Sequence, residues 1–264
     1  MSGILVVADL HLDQWKHQAR DPLAALSDAE WAGLDGLIVA GDLSNAAQRK
    51  WPRFLGRLAA RMDPSRIHII PGNHDYYGLP LGRDAVLAGL CADHGVNLAQ
   101  KAEVEIAGRR FLCTTLWSDF CLPADPARLT DFARIGGPQD GALAVGDIAA
   151  LHRSQRDWLD ARLAACGGQA MVVTHHVPHP ALLAKATVQP GAFASDLGDL
   201  MRRHRPQGWL FGHAHAAQVL DQLTALILSD TAQIDGIGVS ALDLVGQRAE
   251  VGGLAVPALV ADDV

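Results

Sequence analysis

The chain has 264 residues, 49% of them hydrophobic and 19% charged, with a formal net charge of −7. That length and apolar fraction provide a core of ordinary size and exclude wholesale disorder. The acidic balance argues against nucleic acid as the main partner, since binding a duplex calls for a basic excess.

Short apolar, β-branched-rich runs ending in polar, Gly-containing turns predict strands at 4–8, 37–40, 67–70, 111–116, 171–174, 209–211 and 226–228. Continuous runs of this kind suit sheets covered on both faces. The segments 104–106 and 111–115 read as a hairpin across Gly108. Helices are predicted at 46–62, where Trp51, Phe54, Leu55 and Leu58 recur at helical spacing, at 84–94, and at 145–166 with Asp147 as its cap. Another begins at Ser195 or Asp196 and ends near Arg205. Segment 122–141 carries three prolines and reads as an irregular surface excursion. After Thr224 strand-like pieces crowd together at 226–228, 237–244 and 250–254. Strand–helix alternation followed by antiparallel pairs predicts an α/β fold, two face-to-face sheets with helices outside, in one domain spanning 1–264.

No stretch approaches the ~18 uninterrupted apolar residues of a membrane span. The opening run ends at Asp9 and has no basic residue before it, so no secretory signal is expected and the protein is placed in the cytoplasm. Cys91, Cys113, Cys121 and Cys166 are widely spaced, as reduced thiols are.

Five predicted strand ends carry metal-ligand residues: Asp9 and His11, then Asp42, then Asn73-His74-Asp75, then His175-His176, then His213 and His215. Loops beyond the carboxyl ends of α/β strands converge on one crevice, so these residues can meet. Carboxylate, imidazole and amide oxygen suit Mn, Fe or Zn ions better than Ca, and a thiolate site would use cysteine. The candidates are too many for one tetrahedral ion. Two ions sharing a carboxylate, ~3.5–4 Å apart, are a known clamp for displacement at phosphorus. Asp-x-His alone is weak evidence, while Gly-Asn-His-Asp arises by chance in roughly one chain of this size in several hundred. All five in order, each after a strand, make the signal specific.

The series Asp9-x-His11, Gly41-Asp42, Gly72-Asn73-His74-Asp75, His175 and Gly212-His213-x-His215 resembles the calcineurin-like metallophosphoesterase superfamily, from residue 4 to about 216. The resemblance implies a four-layer α/β/β/α sandwich with a dinuclear centre at one edge. Asp9, His11 and His215 would hold the first ion, Asp42 would bridge, and Asn73, His175 and His213 would complete the second. His74 matches a non-ligand histidine that protonates the leaving oxygen or stabilises its charge, and Asp75 would orient it. The nucleophile would be a metal-bridging hydroxide.

Gly41, Gly72 and Gly212 are read as tight turns of unusual backbone conformation. Of the pair His175-His176, the first after the strand is read as the ligand, and His176 as either lying behind the ligands or supporting the fold. Tyr76 and Tyr77 either flank the substrate or wedge a loop against the core. His179 is a candidate substrate contact, and Arg128 or Arg134 a candidate grip on a phosphate oxygen. The expected function is hydrolysis of phosphate esters, with a lean to a phosphodiesterase acting on a small soluble substrate such as a cyclic nucleotide. The alternatives are a phosphomonoesterase, a nuclease, lipid-headgroup chemistry, or a non-catalytic scaffold on the same fold.

Overall fold

The computed structural model describes residues 3–15, 21–24, 26–139, 141–184 and 187–214, together with the backbone of 248–251 and 254–257. Strands β1 (Gly3–Val7), β2 (Leu34–Ala40), β3 (Ile67–Ile70) and β4 (Asn97–Leu98) lie side by side in that order, all parallel. A second sheet orders β5 (Ala102–Ile106), β6 (Arg109–Thr114), β7 (Met171–Thr174) and β8 (Gly208–Leu210). Its first pair is an antiparallel hairpin and the rest is parallel. The hairpin turns at Ala107 and Gly108, with φ of 50° and 75°. Two successive positive φ values suit the twist of a tight hairpin.

Alternate residues of a strand face opposite sides, and that alternation builds three apolar slabs. Leu5 and Val7 of β1 pack outward with Trp51, Phe54, Leu55 and Leu58 of α2 (Ala47–Ala59) and Leu87 of α3 (Asp84–Ala92). Ile4 and Val6 point inward and meet Phe111, Cys113 and Val173 of the second sheet. The outer face of that sheet, Leu112, Val172 and Trp209, is covered by Leu159 and Leu163 of α5 (Val145–Ala165) and by Leu200 and Met201 of α7 (Gly198–His204). The result is the α/β/β/α layering.

Three shorter helices complete the described set: α1 (Asp28–Ala32), α4 (Thr130–Arg134) and α6 (Pro190–Phe193). Sequence periodicity missed them and the two-residue β4, because five residues or fewer are too few to show a period. Boundaries differ where caps decide them. The N-cap of α5 is Ala144; Asp147 sits at the third helical position, and its carboxylate accepts the Ala144 N–H at 2.9 Å. Helix α7 starts later than expected, because Leu197 N is tied to Pro178 O and Asp196 accepts the Gly198 N–H. The 250–254 piece is divided between two strands, β9 (Arg248–Val251) and β10 (Leu254–Pro257), which pair antiparallel. The pieces at 226–228 and 237–244 lie outside the described residues.

Segment 122–141 is not a loose excursion. Ile135 is buried in the first slab, and Gly136 pairs with Pro80 beside the third ligand loop. All four cysteines are unpaired. No helix among the described residues is long and apolar enough to cross a membrane.

Candidate metal centre

The candidate ligands follow the carboxyl ends of β1, β2 and β3 in one sheet and of β7 and β8 in the other. Their loops are laced by main-chain bonds: Asp9 N to Gly41 O at 3.0 Å, His11 N to Asp42 O at 2.9 Å, and Gly212 N to His175 O at 3.0 Å. Asp9, His11, Asp42 and His213 all take positive φ, between 40° and 68°. Such backbone costs about 1–3 kcal/mol per non-glycine residue and concentrates at functional sites.

Gly41 turns at φ 95°, and a Cβ there would fall 2.0 Å from His175 Nδ1. Gly72 has a different reason from the one read in sequence. Its backbone is not left-handed; the Asp42 carboxylate presses against it, so that a Cβ would lie 2.1 Å from Oδ1. Gly212 likewise leaves room for Asp9, whose Oδ2 would sit 2.7 Å from a Cβ.

Asp42 is the hub. Its side chain is fully buried, and Oδ1 accepts the His74 N–H at 3.0 Å. Oδ2 is buried without a hydrogen bond, yet faces three imidazole Nε2 atoms: His175 at 3.5 Å, His11 at 3.6 Å and His74 at 4.0 Å. Burial, with Asp75 and Asp9 nearby, holds its carboxyl well above the usual range. Two triads of potential donor atoms share it, His11–Asp42–His74 and Asp42–His175–His213, each within 4.8 Å. Asn73 joins the second through Oδ1, 3.0 Å from His175 Nε2. The Asp9 carboxylate accepts the His213 N–H through both oxygens, at 3.1 and 2.9 Å. His213 Nε2 lies 3.3 Å from Ala192 O, and its ring stacks on Phe193 of α6. His215 lies outside the described residues.

This donor set fits divalent ions of the Mn, Fe or Zn kind: imidazole, carboxylate and amide oxygen, arranged around a shared oxygen that no proton donor satisfies. An isolated buried carboxylate is costly unless a cation or a proton neutralises it.

The assignment of Asp75 to the His74 ring is corrected. Asp75 is fully buried beneath the loops and accepts the N–H groups of Gly72 at 2.8 Å, Ser44 at 3.0 Å and the Trp51 indole at 2.9 Å. Burial pushes its carboxyl up to about 6 against those bonds. The ring partner is Asn45, whose Oδ1 lies 2.7 Å from His74 Nδ1. Asp13 accepts from Asn45 Nδ2 at 2.9 Å and from Lys50 Nζ at 2.6 Å. With its NH2 committed to Asp13, Asn45 presents oxygen to the ring. Neutral His74 therefore carries its proton on Nδ1 and aims Nε2 at the centre. Asn45 lies three residues beyond Asp42, a nearness in sequence that could have marked it.

The two tyrosines separate. Tyr76 is fully buried, stacks on Trp117 and donates to Asp84, so it wedges the loop and is not a substrate contact. Tyr77 lies over His74, ring centroids 4.5 Å apart, with its hydroxyl 3.5 Å from Nε2 and donating to Asp131 at 2.9 Å. Burial, then the Asp131 charge, raises its pKa far above the ordinary value. His179 does not face the centre: Nδ1 accepts the Ala181 N–H at 3.1 Å and Nε2 lies 3.5 Å from Asp196. His176 is buried between Trp117 and His213, and burial drives its pKa well down. Arg134 is exposed, near enough to Tyr77 to act on it electrostatically. Sequence reasoning missed Asn45, Asp13 and Asp131.

A phosphopantetheinyl hydrolase from Mycobacterium tuberculosis is similar in structure, with a TM-score of 0.61 at 16% identity over 91% of this chain and 88% of that one. A 5'-nucleotidase precursor from Thermus thermophilus reaches a TM-score of 0.42 at 17% identity, over 80% of this chain and 41% of its own. No curated protein matches in sequence. The profile of the calcineurin-like phosphoesterases matches residues 3–217. The chain belongs to that family, a metal-dependent hydrolase of phosphate esters.

Proposed function

We propose that the enzyme is a phosphodiesterase acting on a small soluble substrate with two divalent ions, drawn from Mn, Fe and Zn. The observation that carries the reading is Asp42 Oδ2, a buried oxygen with no hydrogen bond, facing imidazole nitrogens from both sheets. Asp42 would be the shared ligand; His11, with Asp9 and His215, would hold one ion, and Asn73, His175 and His213 the other. Ions bound here polarise phosphoryl oxygens and lower the pKa of water.

The rest falls to the chain's own side chains. His74 Nε2, steered by Asn45 at Nδ1, donates a proton to the leaving oxygen when the ring is protonated. Tyr77 confines that ring from one side. Arg134, exposed beside Tyr77, takes a non-bridging oxygen of the substrate. The whole chain, 1–264, acts as one catalytic domain, and its unpaired thiols suit the reducing cytoplasm.

Chelator-stripped protein reloaded with Mn²⁺ tests the reading. Bis(p-nitrophenyl) phosphate is expected to turn over faster than p-nitrophenyl phosphate, with two ions per chain. Faster monoester turnover would instead make the enzyme a phosphomonoesterase. Removing the ring's partner is a milder perturbation: Asn45→Ala is expected to lower kcat about 10- to 100-fold with both ions retained. Steady-state kinetics and metal analysis on one sample check both parts, and unchanged kcat would remove Asn45 from the scheme.

A further inference from the structure

One carboxylate beside the centre is neither a candidate ligand nor a surface charge. Asp131 belongs to α4, within the segment that joins β6 to α5. That segment is clamped onto the loop following His74. Gly78 N donates to Arg134 O at 2.8 Å, Leu81 N to Gly136 O at 2.8 Å, and Gly136 N to Leu79 O at 3.0 Å. From this clamp Asp131 Oδ1 accepts two bonds, from Asn73 Nδ2 at 2.9 Å and from the Tyr77 hydroxyl at 2.9 Å.

A carboxamide has two ends of nearly equal size and opposite hydrogen-bonding sense. Turned one way, Asn73 shows the centre an oxygen that can hold a cation. Turned the other way, it shows an NH2 that cannot. An ionised carboxylate only accepts, so it selects the NH2 end and leaves Oδ1 toward His175, 3.0 Å away. We propose that Asp131 is a positioning residue: it holds the Asn73 amide with its oxygen inward, so that segment 117–141 sets the strength of one metal position without touching an ion. The inference rests on the reading of Asn73 as a ligand. Outer partners of metal ligands commonly alter affinity about 10- to 100-fold.

The test has two arms. In the stripped wild-type protein, the Asn73 side-chain NH2, assigned by its loss in Asn73→Asp, is expected to give two well-separated proton signals that exchange slowly with solvent. In Asp131→Ala, which leaves no acceptor opposite Asn73, this signature is expected to vanish. Calorimetric titration with Mn²⁺ is then expected to show one ion bound about 10- to 100-fold more weakly and the other within about twofold of wild type. Asp131→Glu, which keeps the acceptor, should restore part of the loss. Tyr77→Phe, which removes the other donor, should leave both affinities within about twofold.

Equal weakening of both ions, or a weakening reproduced by Tyr77→Phe, would make Asp131 a structural clamp and overturn the proposal. Unchanged affinities in Asp131→Ala would overturn it too. Should Asp131→Ala fail to fold, the wild-type arm decides, because solvent-rate exchange of the Asn73 NH2 refutes the held amide. A wild type that binds no ion overturns the reading of Asn73 as ligand, whereas two wild-type ions with an indifferent Asp131→Ala overturn this inference alone.

Discussion

Asp42→Asn is expected to bind neither ion, to lose at least about 10³-fold in turnover, and to melt at a higher temperature than metal-free wild type. The combination is diagnostic, since most substitutions of a buried functional residue cost stability. Asparagine keeps the Oδ1 acceptor for the His74 N–H and replaces the unsatisfied Oδ2 by an amide donor facing Nε2 lone pairs. It also removes a charge crowded by Asp75 and Asp9. Relief of a buried, uncompensated charge is worth about 1–4 kcal/mol.

The pH dependence follows with a definite sign. A carboxyl raised on folding contributes stability in full below its unfolded pKa and loses it as pH rises through the folded value. The stability that Asp75 and Asp42 lend metal-free wild type should therefore fall as pH climbs from about 4, Asp75 losing its share through about 6 and Asp42 beyond its ordinary range. The melting temperature of metal-free wild type should accordingly fall relative to that of Asp42→Asn as pH rises, and saturating metal should remove that trend in wild type. Calorimetric melts across that range check this. A destabilised Asp42→Asn, or one that retains two ions, would refute the role given to Asp42.

His74→Ala is expected to retain both ions and to lose about 10²- to 10⁴-fold in kcat. The ring is partly exposed and lies between His11 and Tyr77, so its removal leaves the slabs intact. The loss should be larger for an alkyl leaving group than for p-nitrophenolate, which departs without a proton. A variant binding one ion fewer would make His74 a ligand, as its place with His11 and Asp42 permits. An equal loss for both leaving groups would remove the acid role.

The sequence announced the strands that carry the chemistry. Segments 67–70 and 171–174 coincide with β3 and β7, because buried parallel strands are continuous apolar runs that end where a polar loop must begin. The ligand types were legible for the same reason: loops at one sheet edge converge whatever lies between them. What sequence could not supply was which neighbour serves which side chain. Asp75 adjoins His74 in the chain yet turns beneath the loop to take up its N–H groups, while Asn45 reaches the ring from another strand end. Asp131 arrives from a helix of five residues, too short for periodicity to mark, and acts across 58 positions of chain. Gly72 looked like a turn residue; only the packed carboxylate shows that absent volume, not backbone freedom, is what the position requires.

The centre straddles the seam between the two sheets. Asp9, Asp42 and Asn73 come from one, His175 and His213 from the other. Direct ties across this edge among the described residues include the Asp9 carboxylate with the His213 N–H, the His175 ring with Ala40 O and Asn73 Oδ1, and the Thr115 hydroxyl with Pro71 O. Ions held as proposed, from both sides, would turn the laminate into a riveted one. Their binding energy would then resist the peeling apart of the sheets, and unfolding of the loaded protein would have to begin elsewhere or release the metal first.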